Sequence, residues 1–219
     1  MSSPASILEV RNLTKHYGGV KALTDANFLL APGEHAAIVG DNGAGKSTFV
    51  RLITGAESPN TGEIILDKET VKFDSPLDAR RQGVETVYQT LALAEDLDVP
   101  ANIFLGRELT HLSLGPLSIL NHKAMREQSV EMLSTTGVKI QDLSESLRGM
   151  SGGQRQCVAI ARAAGFAKKL IILDEPTTHL DLLHKVTLLK LLKKLTQETG
   201  KSILFSTHDI DMAIQLSDE

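Results

Sequence analysis

The sequence predicts an α/β fold. Three observations carry this: strand-like and helix-like stretches alternate along the chain, short wholly apolar runs stand where buried parallel strands are expected, and one such run leads straight into a glycine-rich loop that opens a helix. The 219 residues suit one domain, or one compact domain with an inserted lobe. With 42% hydrophobic and 23% charged residues the chain holds enough apolar surface for a large core, which excludes a disordered or collagen-like chain.

In chain order, Ile7–Leu13 alternates apolar and polar residues and reads as a half-buried strand. His35–Val39 (HAAIV) is a short buried strand, followed by a helix-like run over Ser47–Ile53. Glu63–Phe73 reads as a hairpin turning near Asp67–Glu69, and Val84–Tyr88 as a further strand. From Leu91 to Gly165 the pattern turns mostly helical; Asn121 suits the cap of a helix running to Gly137, and Gln154–Ala164 is helix-like. Leu170–Leu173 (LIIL) and Ser202–Phe205 (SILF) return to buried-strand character. Between them Leu188, Leu191, Leu192 and Leu195 fall at i, i+3, i+4, i+7, with Lys190, Lys193, Lys194 and Gln197 on the opposite, solvated face of an amphipathic helix.

Several classes are excluded at this level. No apolar run approaches the roughly 18–20 residues of a membrane helix, and Met1–Leu8 lacks the charged and apolar regions of a signal peptide. Cys157, the single cysteine, cannot form an internal disulfide and fits a reducing compartment. A net charge of −4, from 23 basic and 27 acidic residues, gives no lean toward nucleic acid.

Gly40-Asp41-Asn42-Gly43-Ala44-Gly45-Lys46-Ser47 matches the phosphate-loop pattern G-x-x-x-x-G-K-[ST], in the expected strand-to-helix context. Its glycines let backbone N–H groups turn inward around a phosphate, and the helix N-terminus adds positive potential. Lys46 is expected to reach the β- and γ-phosphates, and the Ser47 hydroxyl to ligate Mg²⁺. A bare turn would need neither the lysine nor the hydroxyl. The strand LIIL ends in Asp174 and Glu175, at the carboxyl end where parallel sheets place their ligands. Asp174 is expected to hold Mg²⁺, and Glu175, pointing the other way by strand alternation, to polarise the attacking water. Acids often end strands, so this pair gains its weight from the phosphate loop. Ser151-Gly152-Gly153-Gln154 opens a helix with capping-box spacing. Two adjacent glycines there either merely start the helix or open a second approach for an anion. If the latter, one resolution is a two-fold dimer with each nucleotide between one chain's loop and the other's helix start.

Over essentially its whole length the chain resembles the ATP-binding subunits of ABC transporters. GDNGAGKST, ending in Thr48, resembles their Walker A; Met150–Gln154 (MSGGQ) their LSGGQ signature, with Met for Leu; and LIILDE their Walker B with the catalytic glutamate. Gln89 falls at the Q-loop glutamine, Asp181 in THLD at the D-loop, His208 in FSTHD at the switch histidine, and Tyr17 at the aromatic that stacks on adenine. Singly these are weak: a lone Tyr is usually filler, and Ser206, Thr207 and Asp209 around His208 all suit helix caps. Their order along the chain gives the resemblance its weight.

The resemblance implies a P-loop NTPase with a RecA-like core, an N-terminal antiparallel β subdomain and an inserted helical subdomain. Residues 1–90 and 166–219 would form the β subdomain and core, and 91–165 the helical subdomain with the signature. It implies an ATPase that closes as a head-to-tail dimer around two Mg-ATP molecules. Lys46 and Mg²⁺ would neutralise phosphates, with Ser47, Asp174 and Gln89 in the metal shell. Ser151, Gly152 and Gly153 of the opposite chain would cover the γ-phosphate, Glu175 would activate water, and His208 would hold both. The implied partners are a second such subunit, integral membrane permease subunits and, indirectly, a solute-binding protein, with the chain peripheral on the cytoplasmic face of the membrane.

Val87–Arg107 and Ala159–Phe166 resemble the importers of simple sugars such as ribose, xylose and fructose. After about residue 166, PTTHLD and FSTHDIDMAIQLSD look more like iron-chelate importers. The family usually continues past its switch histidine with another strand pair, whereas this chain stops at Glu219. An uncovered sheet edge or lower stability is expected, and a shortened or designed domain without a transport role is the alternative. Leu91–Ile103 and His111–Leu120 carry apolar residues beside Gly and Pro, read either as internal packing or as a groove for a membrane subunit. A DNA-acting relative would carry long coiled coils between Gln89 and Ser151, and a tandem translation factor would carry two cassettes; neither is present in this sequence.

Overall fold

The computed structural model describes residues 6–112, 118–134, 140, 142–178 and 182–216. Its first sheet is antiparallel, in the order β2-β1-β4-β5. It comprises β1 (Leu8–Tyr17), β2 (Val20–Leu30), β4 (Thr61–Leu66) and β5 (Glu69–Val71). The expected hairpin is β4–β5, and it turns on Asp67 and Lys68, whose φ values of 52° and 72° suit the tight mirror-image turns that match strand twist.

The second sheet is parallel, in the order β3-β10-β9-β6. It joins β3 (His35–Val39), β6 (Val84–Val87), β9 (Leu170–Asp174) and β10 (Ser202–Thr207). Its centre is covered on both faces, which explains why LIIL and SILF do not alternate with polar residues. β3, expected as a buried strand, is only partly buried, with Val39 46% exposed, because it stands at the end of the strand order. Leu170, Ile172 and Leu204 share one apolar cluster with Phe49, Val50 and Ile53 of α1 (Lys46–Ile53) and with Leu8, Val10 and Ile64 of the antiparallel sheet. Ile171, Leu173, Ile203 and Phe205 share another with Leu188, Leu191, Leu192 and Leu195 of α6 (Leu182–Thr199). That buried leucine stripe, with Lys190, Lys193 and Lys194 exposed, is the amphipathic helix the spacing predicts. α2 (Pro76–Arg81) leads into β6, and α7 (Ile210–Leu216) follows β10, its first turn held by Met212 N–H donating to Asp209 Oδ1 at 3.1 Å.

Residues between β6 and β9 build α3 (Val99–Ile103), α4 (His122–Ser134) and α5 (Gly152–Phe166) around a third cluster that includes Val99, Phe104, Met125, Leu147 and Val158. Asn121 Oδ1 accepts from the Ala124 N–H at 3.0 Å, so the cap of α4 stands as read; Gly137 lies outside the described residues. The region is not wholly helical. β7 (Thr110–Leu112) and β8 (Ile119–Leu120) pair antiparallel within the stretch read as an apolar loop. Each segment is too short to leave a periodic signal, and pairing satisfies backbone groups that neither helix reaches.

The parallel register positions the site. Val39 lies opposite Thr207, Ser206 opposite Asp174, and Leu173 opposite Val87. The four strands therefore end at one edge, and the segments leaving that edge carry Gly40, Gln89, Glu175 and His208.

Candidate nucleotide site

A cleft of about 600 Å³ opens at this edge, lined in part by Asn42, Gly43, Gly45, Lys46, Ser47 and Thr48 of the loop and by Gln89, Glu175 and His208. The loop needs its glycines: Gly43 and Gly45 have φ values of 86° and 92°. A Cβ at Gly45 would stand 2.6 Å from the Ala22 carbonyl oxygen of β2. Lys46 is only 6% exposed and folds back over its own loop. Its ammonium donates to the carbonyls of Gly40 at 2.7 Å and Asp41 at 3.0 Å, and lies 3.4 Å from Glu175 Oε1.

The two acids sit differently. Asp174 ends β9 and is buried; its Oδ1 accepts from Ser47 Oγ at 3.3 Å and from Ser206 Oγ at 2.7 Å. Glu175 has already left the strand, with φ 47°, so a left-handed backbone rather than continued alternation turns it toward the cleft. Its N–H donates to Ser206 Oγ at 2.9 Å, and its Oε2 accepts from Thr178 Oγ1 at 3.1 Å. His208 Nδ1 lies 3.6 Å from the same carboxylate oxygen, with its side chain half exposed.

Other expected residues lie apart. Ser151 Oγ accepts from the Gln154 N–H at 3.2 Å and Gln154 Oε1 from the Ser151 N–H at 2.9 Å, so the capping box is formed. The Gly152-Gly153 start of α5 does not line the main cleft. Gly152 instead lines a neighbouring pocket of about 290 Å³ that shares Gln89 and Thr178 with it. Tyr17 is 42% exposed and outside the cleft lining, its hydroxyl donating to Glu57 Oε2 and its ring 5.3 Å from the Lys15 ammonium. Burial and then Glu57 raise the Tyr17 hydroxyl above its ordinary pKa, while the Tyr17 hydrogen bond, with Arg51 and Lys15, holds Glu57 below the usual carboxylate range. Asp181 lies outside the described residues.

Sequence reasoning missed Ser206 as more than a cap candidate. It is fully buried and joins Asp174 to the Glu175 backbone. The available signal was strand pairing: SILFST and LIILD end level, which sets a small hydroxyl against the terminal acid.

Residues 23–178 match the family model described as ABC transporter, which is more than half of the chain. The chain belongs to the ABC transporter family. It is an ABC-type ATPase, the class its motifs led us to expect. The cassette is 40% identical over 214 residues to the xylose/arabinose import ATP-binding protein XylG of Sulfolobus acidocaldarius, covering 98% of this chain and 83% of that one. It is 41% identical to the fructose import ATP-binding protein FrcA of Rhizobium meliloti, over 97% and 82% of the two chains. Both matches run through the segment after residue 166, whose motifs look more like iron-chelate importers. Among solved structures, the dimeric ATP-binding cassette MJ0796 in a post-hydrolysis state bound to ADP and Pi superposes with a TM-score of 0.80 at 29% identity, covering 95% of this chain and 90% of that one. The expected fold, with its antiparallel sheet beside a parallel core, is the fold found. No helix among the described residues is long and apolar enough to cross a membrane.

Proposed function

We propose that this ATPase powers an importer of simple sugars, of the ribose, xylose and fructose kind, and works as a head-to-tail dimer with two shared ATP sites. The observation that carries the mechanism is convergence: Lys46, the Ser47–Asp174 pair and the Glu175–His208 pair meet in one cleft at the carboxyl ends of parallel strands. The sugar assignment is supported by the Val87–Arg107 stretch and by relatives named for xylose/arabinose and fructose import.

The loop amides of Asn42, Gly43 and Gly45 and the Lys46 ammonium bind the β- and γ-phosphates, and Thr48 continues the cradle at the helix start. Tyr17 stacks on the adenine, its ring steadied by Glu57. The donors fit Mg²⁺: a hydroxyl and a carboxylate oxygen 3.3 Å apart, with the Gln89 amide on the same cleft, are hard ligands too few to complete a shell, as suits an ion that keeps its waters. When bound, Mg²⁺ supplies charge neutralisation at the β- and γ-oxygens. Ser206 holds Asp174 toward Ser47.

Lys46 pairs with Glu175, so a triphosphate that draws the ammonium to itself frees the carboxylate. Glu175 then accepts a proton from the water that attacks the γ-phosphorus, as the bond to the β–γ bridging oxygen breaks and ADP leaves. His208 holds the γ-phosphate and the water. Ser151, Gly152, Gly153 and Gln154 lie apart from the cleft of their own chain, as expected if they cover the γ-phosphate of the opposite chain, and Asp181 contributes at the same interface. Permease subunits and a solute-binding protein complete the importer, with this subunit on the cytoplasmic face of the membrane.

Three measurements test this. Light scattering of Glu175→Gln should give a monomer without nucleotide and a dimer with Mg-ATP, while turnover falls about 10²–10⁴-fold; unchanged turnover would remove Glu175 as the base. In proteoliposomes with sugar permease subunits, a sugar-loaded binding protein should raise ATPase activity. Stimulation by a ferric-chelate-loaded protein alone would overturn the sugar assignment.

A further inference from the structure

Leu91 and Ala92, just after Gln89, both adopt left-handed backbone, with φ values of 58° and 47°, although neither is glycine. Such conformations persist only where the surroundings enforce them. The local contacts are the Leu91 N–H to the Tyr88 carbonyl at 2.8 Å and the Ala92 N–H to the Thr90 carbonyl at 2.7 Å. The Leu91 side chain packs against the apolar cluster of β9, β10 and α6, and the turn's carbonyls are held from a distance by one guanidinium. Arg162, on the helix that Ser151 caps, donates from Nη2 to the Leu91 carbonyl at 3.1 Å and from Nη1 to the Ala92 carbonyl at 3.2 Å.

The charges nearby leave this fork free for the turn. Buried Glu85 is taken by Arg107 Nη2 at 2.7 Å, with Arg80 Nε at 3.9 Å. Arg107 in turn lies 4.4 Å from the Phe166 ring. Two guanidinium groups thus sit on one carboxylate, and Arg162 directs its N–H groups to carbonyls instead. Two adjacent carbonyls match a planar fork; a lysine ammonium offers a point charge on a flexible stem.

We propose that Arg162 is a positioning residue that holds the turn after Gln89 and thereby aims Gln89 into the nucleotide cleft, tying that aim to the helix carrying the signature. This rests on the role proposed above for Gln89.

The test compares Arg162→Met, Arg162→Lys, Gln89→Ala and the double variant Gln89→Ala with Arg162→Met, reading ATPase kcat and KM together with hydrogen exchange of the peptide spanning 88–92. Methionine keeps an apolar stem, and the lysine variant carries the comparison should Met fail to fold. Arg162→Met should lower kcat about ten- to a hundredfold, matching Gln89→Ala, with KM within about twofold and partial rescue by lysine. The double variant should be no worse than Gln89→Ala, and exchange in 88–92 should speed at least about tenfold while β9 is unchanged. A slow Gln89→Ala beside a fully active Arg162→Met, multiplying effects in the double variant, or unchanged exchange would overturn the clamp. A fully active Gln89→Ala would overturn the role of Gln89, and the aiming of it as well, even with faster exchange in Arg162→Met.

Discussion

Adding one methyl group at Gly45 tests whether the phosphate loop is built as described. At φ 92° an alanine pays a backbone penalty of about 1–3 kcal/mol. Its Cβ would also stand 2.6 Å from the Ala22 carbonyl oxygen, which belongs to β2 and cannot swing aside like a side-chain tip. Relieving that clash costs about a further 1–3 kcal/mol. Gly43 is the internal control: its φ is 86°, but a Cβ there meets nothing within 4 Å, so Gly43→Ala carries the first penalty alone. Urea unfolding without nucleotide should place Gly45→Ala below Gly43→Ala by about 1–3 kcal/mol, and melting should shift by roughly 2–12 °C between them. If the loop moves instead, misaligned N–H groups should weaken ATP binding by about 10- to 150-fold. Equal stability and equal affinity in the two variants would refute the reasoning, because the variants share the strain and differ only in the contact.

Lys46→Ala removes the ammonium from two carbonyls and from Glu175, and ATP affinity should fall at least about 10- to 100-fold by equilibrium dialysis. Ser206→Ala frees Asp174 on one side and leaves the Glu175 N–H only the Ser206 carbonyl at 3.2 Å, so single-turnover hydrolysis should slow about ten- to a hundredfold with ATP affinity nearly unchanged. Burial pushes the Cys157 thiol up from 9.0 to about 11, so as pH rises the unfolded chain loses that proton first. The stability due to the protonated thiol is complete below about pH 9 and is lost between about 9 and 11, at most about 3 kcal/mol. Urea unfolding at pH 8 and pH 11 should therefore fall more steeply for the parent than for Cys157→Ala.

What the sequence made legible follows from burial and local chemistry. LIIL and SILF read as strands because both their faces are buried, so nothing polar interrupts them; HAAIV reads as one although it is only partly buried. The leucine stripe of α6 and the capping box at Ser151 read directly because helix period and helix ends are short-range properties. The phosphate loop was readable since its glycines, lysine and hydroxyl are contiguous. The rest depends on distant residues meeting. Ser206 and Asp174 are 32 positions apart and Arg162 and Leu91 are 71 apart, so no window of sequence holds either pair. The β7–β8 hairpin was missed because its pairing segments are three and two residues long. Tyr17 was read for its ring, while its hydroxyl bond to Glu57 spans 40 positions.

The strand order β3-β10-β9-β6 also has a consequence for how the chain is made. The two outer strands of this parallel sheet are synthesised first, and the two that lie between them follow later. Until Leu170–Asp174 leaves the ribosome, His35–Val39 and Val84–Val87 have no partners in their own sheet, while the antiparallel sheet and the helices around Leu147 can already form. At about 5–20 residues per second the unpaired interval lasts several seconds at least. The nascent polypeptide therefore presents two apolar, hydrogen-bond-hungry edges for that time, and its yield in cells should depend on chaperone supply more than the finished protein's stability suggests.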